Sequence, residues 1–147
     1  MGWYSGINGG DAAATANAFT ENAVLITSGP CAPTTPCVGR DVILQRVQAV
    51  IANHAKPTPV GSPFVAGNLV EIRQETSGDA QKQAGIERIV VFAVETVQED
   101  KISARVEFPD LSDAQTARYQ EYQQAQAASA AAKPAASIGA RPRASAR

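Results

Sequence analysis

Ile7-Asn8-Gly9-Gly10-Asp11, then Phe19-Thr20-Glu21-Asn22-Ala23-Val24-Leu25-Ile26, then Val38-Gly39-Arg40-Asp41-Val42-Ile43, and finally Asp100-Lys101-Ile102 are the stretches that decide the fold. Trp3–Asn8 reads as the end of a helix with Gly9-Gly10 as its terminator. Asp11 is a good N-cap for a short second helix over Ala12–Phe19, because its carboxylate can accept from otherwise unpaired backbone amides. The β-branched, apolar run Ala23–Thr27 predicts a buried strand. Helix, helix, strand, loop, helix and then a twisted antiparallel sheet enclose a pocket.

Working outward, Ser28–Cys37 holds three prolines and two cysteines and is expected to be irregular. Asp41–Ala55 is the clearest helix: Ile43, Leu44, Val47, Val50 and Ile51 share one face, with Arg46, Gln48 and Asn53 turned away. Lys56-Pro57-Thr58-Pro59 ends it. Sheet segments are expected at about Asn68–Ser77, Ile86–Gln98 and Ile102–Phe108, with Gly78–Gly85 a loop and Glu99-Asp100-Lys101 a tight turn. Ser112-Asp113-Ala114-Gln115 has the form of a capping box for a last helix running toward Ala131. A single domain over residues 1–132 follows, with a low-complexity Ala/Pro/Arg tail at 133–147 expected to be disordered.

The 147-residue chain is 44% hydrophobic and 18% charged, the composition of an ordinary globular domain. Residues 1–132 carry 9 basic and 14 acidic side chains, net −5, so the body gives no electrostatic reason to expect a nucleic-acid partner. No apolar run approaches the roughly 18 residues of a membrane span, so no membrane partner is expected. No signal peptide is recognisable, which reads as cytoplasmic as the chain stands, or exported if a leader was removed. Gly-rich phosphate loops, nucleophile elbows and metal-ligand clusters are missing from the sequence, and neither a metal nor a cofactor is expected.

The motifs Asn8-x-Gly10-Asp11, Phe19-Thr20-Glu21-Asn22-Ala23-Val24, Gly39-Arg40-Asp41 and Asp100-Lys101-Ile102 resemble, in order and spacing, those of the nuclear transport factor 2-like superfamily. The resemblance covers about residues 3–110 and implies an α+β cone: a curved antiparallel sheet wrapped by N-terminal helices. Ketosteroid isomerases, SnoaL-like polyketide cyclases, scytalone dehydratase and limonene-1,2-epoxide hydrolase share this fold. It implies an apolar pocket for a small hydrophobic molecule, cofactor-free acid–base chemistry where there is catalysis, and a homodimer formed through the sheet. The competing class is a non-catalytic binding or dimerisation module.

Several of the family's working groups differ here. Ile26-Thr27-Ser28 stands where ketosteroid isomerases place a general-base aspartate, and Trp3 beside Tyr4 where they place an oxyanion-hole tyrosine. The only histidine is His54, against the histidines of scytalone dehydratase. The epoxide hydrolases use an Asp-Arg-Asp constellation, and their water-binding Tyr and Asn map to Leu25 and Thr27. Arg73-Gln74-Glu75 lies where the Arg-x-Asp would be if the preceding hairpin differs by one residue, and Glu107 falls at the second acid. Strand alternation pairs Arg73 with Glu75 and Arg105 with Glu107 on one face each.

The candidate catalytic set is therefore Arg73, Glu75, Glu107 and Glu95, the last interrupting the apolar strand Ile89–Val97. Trp3, Leu25, Thr27 and His54 are the candidate ligand-binding positions. For the charged residues the competing reading is a solvated face with cross-strand ion pairs, and for Glu95 an ion pair with an arginine. Cys31 and Cys37 bracket a proline-stiffened loop that, by the resemblance, lies near the pocket mouth; they are a disulfide candidate, the alternative being two reduced thiols.

Overall fold

The computed structural model describes residues 2–132. Helix α1 (Gly2–Gly9) stops at Gly10, whose φ of +75° suits glycine, and Asp11 caps α2 (Ala12–Asn17) by accepting from the Ala14 amide at 2.8 Å. The two helices meet at Gly6, where a Cβ would come within 2.1 Å of Thr15 Oγ1. Strand β1 (Phe19–Ile26) leads into a 3₁₀ turn at Gly29–Cys31 and the short β2 (Cys37–Val38). Helix α3 (Arg40–Ala52) follows, with Ile43 and Val47 buried on the core side.

Lys56–Pro59, which reads as a bare helix stop, forms strand β3, and Phe64–Ala66 forms β4. Both lie on β5 (Leu69–Ser77), and β3 is an edge strand, the place where a proline-containing segment costs the fewest ladder bonds. Asn8 Nδ2 donates to the Pro57 carbonyl at 2.9 Å and ties β3 to α1. A short helix, α4 (Asp79–Gln83), occupies part of the expected Gly78–Gly85 loop. Strands β6 (Ile89–Gln98) and β7 (Lys101–Pro109) form a hairpin whose turn residues Glu99 and Asp100 both take positive φ, the geometry of a tight two-residue turn.

The strands run in the order β2-β1-β7-β6-β5-β3, antiparallel except for the parallel β1–β7 pair. This is the α+β curved, unclosed sheet with helices at its N-terminal side. The main core packs α1, β1 and α3 together around Ile7, Phe19, Leu25, Ile43 and Val47. A second cluster, with Ile86, Ile89, Val91 and Tyr119, seats the last helix, α5 (Ala114–Ala132).

The cap of α5 lies one residue later than the capping box predicts. Asp113, not Ser112, accepts from the Thr116 amide at 2.9 Å and its hydroxyl at 2.8 Å. Gln115 Oε1 instead accepts from the Glu87 amide at 3.0 Å. The tail at 133–147 lies outside the described residues. Among the described residues no helix is long and apolar enough to cross a membrane.

Candidate functional site

The concave face of the sheet is set by alternation along three neighbouring strands. Gln74 and Thr76 on β5, Ile89 and Val91 on β6, and Glu107 and Pro109 on β7 all border one cavity of about 310 Å³. Helix α1 contributes Trp3 and Ile7, β1 contributes Leu25, and α5 contributes Tyr119. Arg46 and Val50, one turn apart on α3, complete the wall. Arg46 thus faces inward, against the expectation that it points away. The inward arc of α3 is wider than its aliphatic stripe, because part of it meets a cavity in place of packed core.

Beneath this wall lies a buried polar cluster centred on Arg105, which has no solvent exposure. Its Nε donates to Glu107 Oε1 at 3.0 Å, and Nη2 approaches the same oxygen at 2.9 Å. Nη1 donates to Glu95 Oε1. Nη2 also donates to Gln74 Oε1 at 2.7 Å and lies 3.4 Å from the Tyr4 hydroxyl. Tyr4 in turn donates to Gln74 Oε1 at 2.7 Å. The guanidinium stacks on two aromatic faces, 4.6 Å from the Trp3 ring centre and 5.4 Å from that of Tyr4.

Burial works against the charge of Arg105, and Glu107, Tyr4 and Glu95 more than offset it, so its pKa is raised above the usual guanidinium value. Burial also pushes the Tyr4 phenol up, only partly countered by Arg105. Tyr4 therefore remains a neutral proton carrier next to a permanent cation.

A bulge brings Glu95 and Arg105 together. The β6–β7 ladder runs Gln98↔Lys101, Val97↔Ile102 and then shifts to Thr96↔Ala104 and Glu95↔Arg105. Ser103 is the extra residue, and its hydroxyl donates to the Thr96 carbonyl at 3.1 Å. An unbroken register would set Arg105 opposite Val94, on the other face from Glu95. Glu95 thus pairs with an arginine, the competing reading of its place in the strand, and the bulge hid which one.

The expected trio of Arg73, Glu75 and Glu107 does not assemble. The one-residue offset that would turn Arg73 inward is missing, so Gln74 faces the cavity and its neighbours face out. Glu75 pairs with Arg88 at 3.2 Å on the outer side. Arg73 neither borders the cavity nor pairs with an acid among the described residues. Glu107 does border it, and Arg105 takes the place of Arg73 as its partner. Glu95 is 8% exposed, sits behind Arg105 and does not border the cavity.

Trp3, Leu25 and Thr27 all line the cavity. His54 does not. The chain takes a positive φ of 50° just past the end of α3, which swings the imidazole outward to Asp79, 2.6 Å away. Cys31 and Cys37 are joined in a disulfide, next to the cavity-lining Ser28, Gly29 and Pro30. Sequence reasoning missed Gln74 and Arg46 as cavity residues and Tyr4 as a member of the cluster. The Arg105-x-Glu107 alternation and the reading of Glu95 as an arginine's partner were its legible traces.

No protein-family model and no curated protein matches this sequence. Solved structures do match. A protein of Sinorhizobium meliloti assigned as a polyketide cyclase superposes with a TM-score of 0.60 at 18% identity, over 72% of this chain and 89% of that one. The epoxide hydrolase/cyclase-like enzyme SalBIII, of pyran-ring formation in the polyether salinomycin, gives 0.60 at 18% identity, over 76% and 87%. A Catenulispora acidiphila protein with a ketosteroid isomerase-like fold gives 0.59 at 14% identity, over 73% and 81%. By its sheet, its helices and these neighbours, the chain has the nuclear transport factor 2-like fold, the α+β cone of the SnoaL-like and ketosteroid isomerase-like proteins.

Proposed function

We propose that this protein binds a small hydrophobic molecule in the cavity and opens an epoxide on it by cofactor-free acid–base catalysis. The observation that carries the reading is the Glu95–Arg105–Glu107 cluster, two carboxylates bridged by one arginine, with Glu107 at the cavity wall. It reproduces the acid-arginine-acid logic of the epoxide hydrolases that the sequence resembles, with glutamates for aspartates. The likeness of fold to an epoxide hydrolase/cyclase-like enzyme supports it.

In this reading Glu107 takes a proton from a water molecule whose oxygen attacks one epoxide carbon. The C–O bond on that carbon breaks, and the departing oxygen takes its proton from a second water in the cavity, since Glu95 does not border it. One water is added and a diol leaves; Glu107 gives its proton to the hydroxide left by the second water and returns to its starting state. Arg105 fixes both acids and contributes no proton. Gln74, at the cavity wall and bonded to Arg105, is placed to help hold the water.

One observation favours a second reading, a binding module without catalysis. Glu95 lies behind Arg105, and all three residues satisfy one another as a buried structural network would. Incubating the purified protein with a panel of terpene epoxides and steroid enones separates the two. Diol formation above a heat-inactivated control supports the hydrolase; saturable binding with no product from any epoxide supports the module.

We also propose that two copies pair through the outer sheet face, where Phe92 and Phe108 are cross-strand neighbours and Phe108 is half exposed. Sedimentation showing a monomer at all concentrations would refute the pairing.

A further inference from the structure

Two buried donors at the cavity have no protein partner among the described residues: Nε of Arg46 and Nε1 of Trp3. Both residues line the cavity. Trp3 is only 5% exposed, its ring is held between Arg105 and Phe19, and its indole N–H cannot turn away to find water elsewhere. Arg46 is half-buried on α3, and no carboxylate lies within ion-pairing distance of it among the described residues. Glu107, the acid whose charge most supports Arg46, already accepts two contacts from Arg105.

An arginine held half out of water with no ion-pair partner is costly, and the cost appears in its pKa, which burial lowers more than the charge of Glu107 raises it. Only Glu107, already engaged by Arg105, and the Tyr119 phenol support its charge, and neither is within ion-pairing distance. What would repay the arrangement is a ligand that brings its own anion, and a planar guanidinium is suited to a carboxylate.

Resting on the hydrolase reading above, we propose that the substrate is a hydrophobic carboxylic acid. Arg46 binds its carboxylate, and the Trp3 indole N–H donates to a ligand oxygen. Its apolar chain lies along the β-sheet wall. A neutral terpene or steroid would leave Arg46 without an anion and should bind less tightly, because a buried polar group deprived of its partner is penalised more than an apolar contact is rewarded.

Trp3 is the only tryptophan in the chain, so its fluorescence reports on this cavity directly. The test titrates octanoate and methyl octanoate, which differ in charge at one end, into the wild type, Arg46→Met and Arg46→Lys. The acid should bind the wild type at least about tenfold more tightly than the ester. Arg46→Met should abolish that preference while leaving ester binding nearly unchanged, and Arg46→Lys should keep part of it. Arg46→Gln gives the same readout should the methionine variant fail to fold.

Equal binding of acid and ester by the wild type, a preference that survives Arg46→Met, or binding of neither probe would overturn the inference. The readout is binding, so it is separable from catalysis. A preference for octanoate in a protein that turns over no epoxide removes the hydrolase reading alone. Diol formation with no acid preference removes this inference alone.

Discussion

Arg105 and Glu95 face each other across the β6–β7 ladder because Ser103 bulges out of β7 between them and the turn. The guanidinium that results is fully buried between two carboxylates, an amide oxygen and two aromatic rings. Removing one member of such a cluster leaves the others charged and unpaired. Arg105→Met should therefore destabilise the fold by about 3–5 kcal/mol, read from urea unfolding. A loss under about 1 kcal/mol would mean that the carboxylates find water or other donors.

The same bulge marks the limit of what could be read from the sequence. Helix α3, the Asp11 cap, the β6–β7 turn and the order of the motifs follow from local signals: periodicity, short polar caps, and turn residues. The α+β cone was legible through the resemblance of those motifs, in order and spacing, to the nuclear transport factor 2-like superfamily. Trp3, Leu25, Thr27 and Glu107 were legible as site positions and line the cavity; the meeting of Glu95 with Arg105 was not, because strand register decides which side chains meet, and a one-residue bulge reverses the faces without leaving a compositional trace. Arg73-Gln74-Glu75 shows the same difficulty. Three consecutive polar residues carry no parity, and only pairing with Val91 across β6 turns Gln74 inward. Strands β3 and β4 were missed because prolines and glycines around them read as loop, and edge strands tolerate both.

The contact of α1 with α2 depends on a missing side chain. A Cβ at Gly6 would meet Thr15 Oγ1 at 2.1 Å and the Thr15 amide nitrogen at 2.9 Å, and Thr15 is fully buried. Gly6→Ala should force the helices apart and cost about 1–3 kcal/mol, despite alanine's better helix propensity. Gly9→Ala, with nothing within 4 Å of the added methyl, is the control and should be far milder in the same thermal or urea melt.

Cys31 and Cys37 are six residues apart and fully or nearly buried beside the cavity. A loop this short restricts the unfolded chain only modestly, so replacing both with serine should lower stability by about 2 kcal/mol. Alkylation without reductant, followed by mass measurement, checks the bridge itself. Two modified cysteines would rule it out.

The amide and hydroxyl of Thr116, with Arg88, hold the Asp113 carboxyl down to about 2 from an ordinary 3.8. A carboxyl depressed in the folded state stabilises above its unfolded pKa, and that support is lost as pH falls from about 4 through about 2. Asp113→Asn should melt below the wild type at neutral pH, and the gap between their melting temperatures should close toward pH 2. A gap that stays constant with pH would show that the charge of Asp113 contributes nothing to the α5 cap.

In the proposed hydrolysis the cluster beneath the cavity does the chemistry, with Glu107 as its base. The most direct measurement is the kcat for diol formation from the best epoxide, wild type against Glu107→Gln, with the melting temperature of each recorded alongside. A general base removed from its post should cost about 10²–10⁴-fold in kcat. A loss in that range with the fold intact is the expected result; a folded Glu107→Gln variant that turns over epoxide at the wild-type rate would remove Glu107 as the base.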